Sequence, residues 1–350
     1  MSPDRAGTTD VKMEEDQIKK LIDAIRYATL APSTHNSQPW KFSIQHDGIR
    51  LFPDLSRRLP VTDPFDRELY ISLGCALENL VLSLDQLGYG PQISYFPRGE
   101  GEPCIHVGFQ GGSRGRDPAL FEAIPRRQTS RNKFEQRQIP ERLLRELRAL
   151  PLEPGVTIHL TTDRTQIEAV SDFVMEADRL QLSNESVRDE LISWIRFNET
   201  DARHTGDGLS PEAMGNPSGP RWLGSFFMKH LDRGERQLDR DESFLKSSPA
   251  IVALCTNEEN REAWVKLGRS FERIALMTTA HGIDHGHVNQ PIEVPVLRYE
   301  LRQRLGLDFA HPQLLIRIGY AERPKSFRRP VDDVLIETPD TLFARSAESA

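Results

Sequence analysis

The chain has 350 residues, 37% hydrophobic and 28% charged, with 45 Lys and Arg against 52 Asp and Glu for a formal net charge of −7. That length allows two domains or one large one, and the composition is that of a soluble globular protein without the basic surplus of a nucleic-acid surface. No apolar run approaches the ~18–20 residues of a membrane helix, and Met1 to Gln17 is polar and acidic with no secretory apolar stretch, so a cytoplasmic chain with a disordered tail over 1–17 is expected.

Cys75, Cys104 and Cys255 each sit inside an apolar segment with no Cys-x-x-Cys spacing. They read as buried, reduced thiols, not as a disulfide framework or zinc site.

In chain order, an amphipathic helix from Ile18 to Leu30 leads into Ala31-Pro32-Ser33-Thr34-His35-Asn36-Ser37-Gln38-Pro39-Trp40 and then the alternating strand Trp40 to Ile44. Two prolines bracket small hydroxyl and amide side chains, which is ordinary loop chemistry and also a surface that can approach a ligand closely. A second short strand covers Gly48 to Phe52, and a Pro- and Arg-rich loop leads to an apolar helix that begins at Arg67-Glu68 and stops at Leu87-Gly88. Strands are expected over Gln92–Phe96 and Ile105–Phe109, and a Gly, Arg and Asp run at 111–118 marks a boundary. Beyond Arg126-Arg127-Gln128-Thr129-Ser130-Arg131 come a helix over Glu141–Leu150, a strand over Val156–Leu160 and a helix over Thr165–Leu182. Trp194 to Gly224 has several Gly and Pro residues and little periodicity, the mark of a lid or a disordered insertion. A strand over Ala250–Cys255 and a further helix follow.

That further helix repeats the earlier one. Leu267-Gly268-Arg269-Ser270-Phe271-Glu272 matches Leu73-Gly74-Cys75-Ala76-Leu77-Glu78 at an offset of 194, and Arg261-Glu262, Leu276 and Gly282 keep that offset with Arg67-Glu68, Leu82 and Gly88. Ile316-Arg317-Ile318-Gly319-Tyr320 matches Ile105-His106-Val107-Gly108-Phe109 at an offset of 211, so the second copy has gained 17 residues in between. Shared apolar spacing alone is cheap. Identical Gly, Glu and Arg-Glu in register, with a second match in the right order, indicate an internal duplication. Leu77, Leu80 and Leu84, with Phe271, Ile274 and Met277, would line the apolar stripes of the two central helices.

The Ala-Pro-Ser-Thr-His-Asn-Ser-Gln-Pro-Trp word resembles the flavin-contacting loop of the nitroreductase superfamily, and Arg127-Gln128-Thr129-Ser130-Arg131 resembles that family's phosphate-gripping entry element. Asn289-Gln290-Pro291-Ile292-Glu293, within the 17-residue gain, is similar to the turn whose backbone faces flavin N5, and Pro324-Lys325-Ser326-Phe327-Arg328 resembles the C-terminal basic element. Each word occurs once, in opposite halves, which resembles the Acg-like branch, where a fused chain imitates a nitroreductase dimer. The resemblance implies an α+β, three-layer, internally duplicated fold, with halves at 18–118 and 119–338, a lid candidate at 196–224 and a tail at 339–350. It implies one FMN, with NADH or NADPH as transient co-substrate, and hydride transfer to an electron-poor small molecule such as a nitroaromatic or quinone. The fused chain would be a monomeric pseudo-dimer or a homodimer.

By the same resemblance Pro32, Ser33, Thr34, Asn36 and Gln38 would meet the flavin. Arg127, Gln128, Thr129, Arg131, Lys325 and Arg328 would hold the phosphate side, and Glu293 and Val294 would flank N5 through their backbones. Two guanidiniums and a hydroxyl suit a phosphate dianion through charge-assisted bonds. No catalytic side chain is required, because the flavin carries the chemistry. A permanently closed lid would instead make the protein a flavin holder with little turnover. His281, His285 and His287 lie close together, but Gly282 and Gly286 break the helix that would align them, no carboxylate or Cys completes a ligand set, and two of them are expected at a helix C-terminus.

Overall fold

The structure is a computed structural model that describes residues 13–99, 104–112, 115–215, 218–230, 235–307 and 309–337. The expected C-terminal tail and most of the N-terminal one lie outside these residues. Helix α1 (Glu15–Ala28) already begins inside the segment read as tail, burying Ile18, Leu21 and Ile25 along one face.

The first half continues with β1 (Trp40–Gln45), β2 (Gly48–Pro53), α2 (Arg67–Gln86), β3 (Pro91–Tyr95) and β4 (Ile105–Phe109). Two short helices, α3 (Pro118–Ala123) and α4 (Glu141–Arg148), lead to β5 (Val156–Thr161) and α5 (Arg164–Ser183). Next come α6 (Glu185–Trp194), α7 (Glu199–Thr205), α8 (Pro211–Met214), α9 (Arg221–His230) and α10 (Glu235–Ser247). The aperiodic stretch from Trp194 to Gly224 thus holds short helices. Their caps are polar side chains: Asn198 accepts from the Asp201 N–H, and Ser210 from the Ala213 N–H. The chain closes with β6 (Ala250–Thr256), α11 (Arg261–Ala280), β7 (Asp284–His287), α12 (Gln290–Glu293), α13 (Pro295–Arg304), β8 (His311–Gly319) and α14 (Val331–Val334).

The duplication is visible in both helices and sheets. Helices α2 and α11 are each 20 residues long and start and stop at the 194-residue offset. The sheets run β1-β2-β4-β3 and β5-β6-β8-β7, every pairing antiparallel, so each strand has its counterpart at the same place in the order. The 17 added residues are spent between β7 and β8, where α12 and α13 stand. Sequence reading missed β7: only His281 caps a helix, whereas His285 and His287 lie on this strand.

Helix α2 packs on the first sheet and α11 on the second, and the two helices pack on each other, so the layers run sheet, helices, sheet. One apolar core joins the halves through Leu73, Leu77, Leu80, Phe271 and Ile274, with Met277 packed at its margin. The helices cross where Gly74 meets Gly268. A Cβ on Gly74 would stand 2.1 Å from the Val265 carbonyl oxygen, and one on Gly268 would stand 2.0 Å from that of Ile71. Val265 and Ile71 are themselves related by the repeat, so the crossing is a pseudo-two-fold contact. Leu335 and Ile336 do not stay with the second half: Phe42 of β1 bridges Leu335, and Ile336 N–H donates to the Phe42 carbonyl.

Gly268→Ala is expected to lower unfolding stability by roughly 3 kcal/mol, the range for overpacking a rigid contact. Gly111→Ala, where a Cβ would meet nothing within 4 Å, should leave it unchanged. Equal denaturant midpoints for the two variants would remove the crossing as a constraint.

Candidate functional site

The loop after α1 is built under backbone strain. His35, Asn36 and Gln38 all hold positive φ (53°, 55° and 53°), a region that non-glycine residues seldom adopt and that clusters at functional sites. Local hydrogen bonds hold it: Asn36 N–H donates to the Ser33 carbonyl (2.9 Å), and Gln38 N–H to Ser33 Oγ (2.9 Å). Thr34 Oγ donates to Glu68 Oε2 on the first turn of α2 (2.8 Å), and fully buried Trp40 anchors the far end.

A cavity with about 1500 Å³ of atom-free space, open solvent at its mouth included, lies between this loop and the second half. Pro32, Ser33, Thr34 and Asn36 line one side; Arg127, Thr129 and Arg131 face them; Glu293 and Arg328 complete the wall. The once-only sequence elements therefore meet in one place although they lie far apart in the chain. Of this run Arg127, Thr129, Ser130 and Arg131 line the cavity and Gln128 does not.

Gln38, Gln128, Val294 and Lys325 do not reach the wall. Gln38 is fully buried and uses both ends of its amide, donating to the Gly206 carbonyl (2.8 Å) and accepting from Arg329 N–H (3.0 Å). Lys325 is exposed, and Val294 caps the join between α12 and α13. Gln38 is thus a brace for the site, not a surface of it.

Asn36 has a similar second task. Its Nδ2 donates to the Gly208 and Phe327 carbonyls (3.1 Å each), its Oδ1 accepts from Arg328 Nη1 (3.1 Å), and its own carbonyl accepts from Gly208 N–H (3.2 Å). One side chain ties the loop to the insertion and to the C-terminal segment. Gly206 and Gly208 adopt φ of 64° and 72°, and a Cβ on either would strike backbone, at the Arg328 and Trp194 carbonyls respectively. Asp207 between them accepts from Arg196 (2.6 Å) and also pairs with Arg57 of the first half. Glu190 of α6 adds a further hold, accepting from Val61 N–H, Thr62 N–H and Thr62 Oγ at 2.7–2.9 Å. The insertion is fastened shut over one side of the cavity.

Two arginines are set side by side. Arg127 Nη2 and Arg328 Nη2 both donate to the Leu30 carbonyl, at 3.0 and 3.1 Å. Arg127 Nε and Nη1 and Arg328 Nε are buried without a hydrogen-bond partner. Burial, with Arg127 adjacent, lowers the Arg328 pKa to about 9. Glu272 Oε1 lies 3.4 Å from Arg127 Nε, and burial raises this carboxyl to about 7. His287 is exposed to the cavity space; desolvation by the surrounding walls first, then Arg131 and Arg127, lower it to about 3, so it stands neutral there. At the opposite end Glu293 is raised to about 8 by burial and by Glu68, while Gln181 donates to it at 2.6 Å.

Several lining residues escaped sequence reading. Glu68, Ser72 and Cys75 come from α2, where the repeat drew attention to helix packing and not to ligand contact. Arg317 had a visible signal, a charge between apolar residues of a strand, opposite His106 in the repeat. Arg240 and Asp241 lie in a polar segment that gave none. The repeat also explains why the cavity is one-sided. Ser72 and Cys75 line it, but their counterparts are Lys266 and Arg269. Arg269 pairs with Glu78 (2.8 Å) and Glu153 (2.6 Å), and Lys266 lies over the Tyr95 ring. The related position is filled by long cationic side chains.

Replacing Asp207 by Asn should reduce hydrogen-exchange protection across residues 194–214 while leaving α2 and α11 unchanged. Burial pushes the Asp207 carboxyl up, but hydrogen bonds from Arg196 and Arg57 bring it below its ordinary value of 3.8. A lowered carboxyl pKa gives stabilisation that is complete above that ordinary value and is lost as pH falls through the lowered one. Wild-type protection should therefore persist at pH 5 and fail only in stronger acid; failure near neutral pH would contradict the clamp.

No family model matches the chain. Among curated proteins, "Putative NAD(P)H nitroreductase Rv3131" of Mycobacterium tuberculosis is 28% identical over 326 residues, covering 90% of each chain. "Putative NAD(P)H nitroreductase acg" of the same organism is 26% identical over 350 residues, covering 95% of this chain and 97% of that one. "Probable NAD(P)H nitroreductase PigM" of Serratia is 27% identical over 293 residues, covering 75% and 77%. Among solved structures, the FMN-dependent nitroreductase NfnB of Mycobacterium smegmatis in complex with NADPH aligns at 14% identity with a TM-score of 0.41, over 63% of this chain and 98% of its own. Among the described residues no helix is long and apolar enough to cross a membrane. Over nearly its full length, and with a duplicated fold, the chain is thus similar to curated proteins named NAD(P)H nitroreductases, acg among them.

Proposed function

We propose that the chain binds one FMN in this cavity and works as an NAD(P)H-dependent oxidoreductase on an electron-poor small molecule, nitroaromatic or quinone-like. The observation that carries the reading is the meeting, at one cavity between the halves, of a strained polar loop with two guanidiniums that each keep at least one buried N–H without a hydrogen-bond partner. Burying unpaired donors is costly, so such groups call for an anionic ligand. Arg127 and Arg328, with Thr129 and Arg131, would hold the phosphate, and Pro32, Ser33, Thr34 and Asn36 would form the wall opposite. A bound FMN would supply the hydride-transfer chemistry between the nicotinamide and the acceptor. The chain's own part is to orient the cofactor, keep water out under the insertion, and present neutral His287 and a protonated Glu293 at the wall. We place the halves at 18–118 and 119–338, the second half lending residues 331–336 to the first sheet.

The fastened insertion favours a second reading, a flavin holder with little turnover, because Asn36, Gln38 and Arg57 all hold residues 206–208 down. Anaerobic addition of millimolar NADPH or NADH separates the two. Bleaching of the yellow colour supports the oxidoreductase; an unchanged spectrum supports the holder. Arg131→Ala should lower the FMN content of the purified protein several-fold, and full retention of flavin would count against its phosphate role.

A further inference from the structure

The cavity is lined by more guanidiniums than one phosphate needs. Beyond Arg127 and Arg328, Arg131, Arg240 and Arg317 also line it. Helix α10 turns Gln237, Arg240, Asp241 and Phe244 toward the cavity. Their spacing of three, four and seven residues marks one helix face. Arg317 reaches the same place from β8. Its guanidinium is stacked between Phe134 and Phe244, 4.2 and 4.7 Å from the ring centroids, and its Nη2 donates to the Ser130 and Asn132 carbonyls. That arrangement fixes the group and leaves Arg317 Nη1 buried without a partner. Arg240 is fixed by a bond from Nη1 to the Met214 carbonyl (3.3 Å), and its Nε is likewise buried without a partner. Among the described residues no carboxylate lies within ion-pair distance of Arg131.

The nearby acids do not cancel this charge. Asp178 is raised to about 8 by burial and by Asp241, and Asp241 is itself raised by burial, so near neutral pH the pair shares a proton and carries about one negative charge. Three guanidiniums face that one charge. Arg317 is lowered to about 10 by burial, which reports an incompletely compensated cation.

We propose that Arg240 and Arg317, with Arg131 between them and the Arg127–Arg328 pair, form a second anion subsite, so that the acceptor reduced in this cavity carries a carboxylate or similar oxyanion. The inference rests on the functional reading above and narrows its substrate class. The subsite orients the acceptor through fixed N–H groups, and a neutral analogue leaves those groups unpaired.

The test uses the FMN-loaded chain and a matched pair of acceptors, 4-nitrobenzoate and 4-nitrobenzyl alcohol, titrated against the flavin absorbance spectrum. The carboxylate should bind at least about tenfold more tightly, as expected for charged hydrogen bonds. Arg240→Gln should keep its flavin yet bring the two affinities to within about twofold of each other, whereas Arg240→Lys should retain most of the preference. Equal affinities in the wild type, or an undiminished preference in Arg240→Gln, would overturn the subsite. Loss of FMN from Arg240→Gln would also overturn it, by showing that Arg240 grips the cofactor. A change in Arg240→Gln confined to the preference for NADPH over NADH would assign the cationic group to a nicotinamide phosphate instead. A colourless protein that takes up no added FMN would sink the functional reading itself, and would be seen before any acceptor is added.

Discussion

Everything in this molecule depends on two helices approaching so closely that neither can carry a side chain at the crossing. Gly74 and Gly268 let α2 and α11 meet backbone to backbone, and each helix also covers its own sheet. Interiors packed at this density have little slack. The contact therefore sets the relation between the halves, and the cavity wall is assembled from both of them.

On that near-symmetric frame the chemistry is deliberately unequal. Glu78 and Glu272 are repeat partners, both fully buried. Glu78 is neutralised by Arg269 and Arg273 from the opposite helix, at 2.8 Å each. Helix α2 offers Cys75 and Asn79 at the corresponding places, so Glu272 finds its cation in Arg127, outside the repeat. Buried charge has to be paired. On one flank the pairing closes the space; on the other it sets Arg127 at the edge of the cavity with spare N–H groups. One substitution pattern along two helices makes the two flanks of a two-fold frame unequal.

The loop at 31–40 performs two jobs that the sequence presents as one. Pro32, Ser33 and Thr34 face the cavity, while Asn36 and Gln38 spend their amides on the insertion and the C-terminal segment. Positive φ at three non-glycine residues is sustained because those distant segments over-determine the loop. The shape of the cavity and access to it are thus mechanically joined: the residues that form the wall are neighbours of those that hold the cover.

The duplication, the central helices, the pairing of the loop with the Arg127 element and the resemblance to Acg-like nitroreductases were all legible in the sequence. They rest on local words and on an offset that amino-acid identity preserves. Leu73, Leu77 and Ile274 declare their burial by helical spacing, and Gly74 and Gly268 by occurring in register. Tertiary structure alone decided which side of each word matters. Gln38 and Lys325 lie within matching words but turn away, because a partner 168 residues distant takes the Gln38 amide and solvent takes the lysine. Arg240, Arg317 and Glu68 carry no such word, yet a helix face, a strand between two phenyl rings and a first helical turn bring them to the same wall. Spacing along a chain reports which face a residue occupies; what that face meets is set by packing between segments hundreds of residues apart.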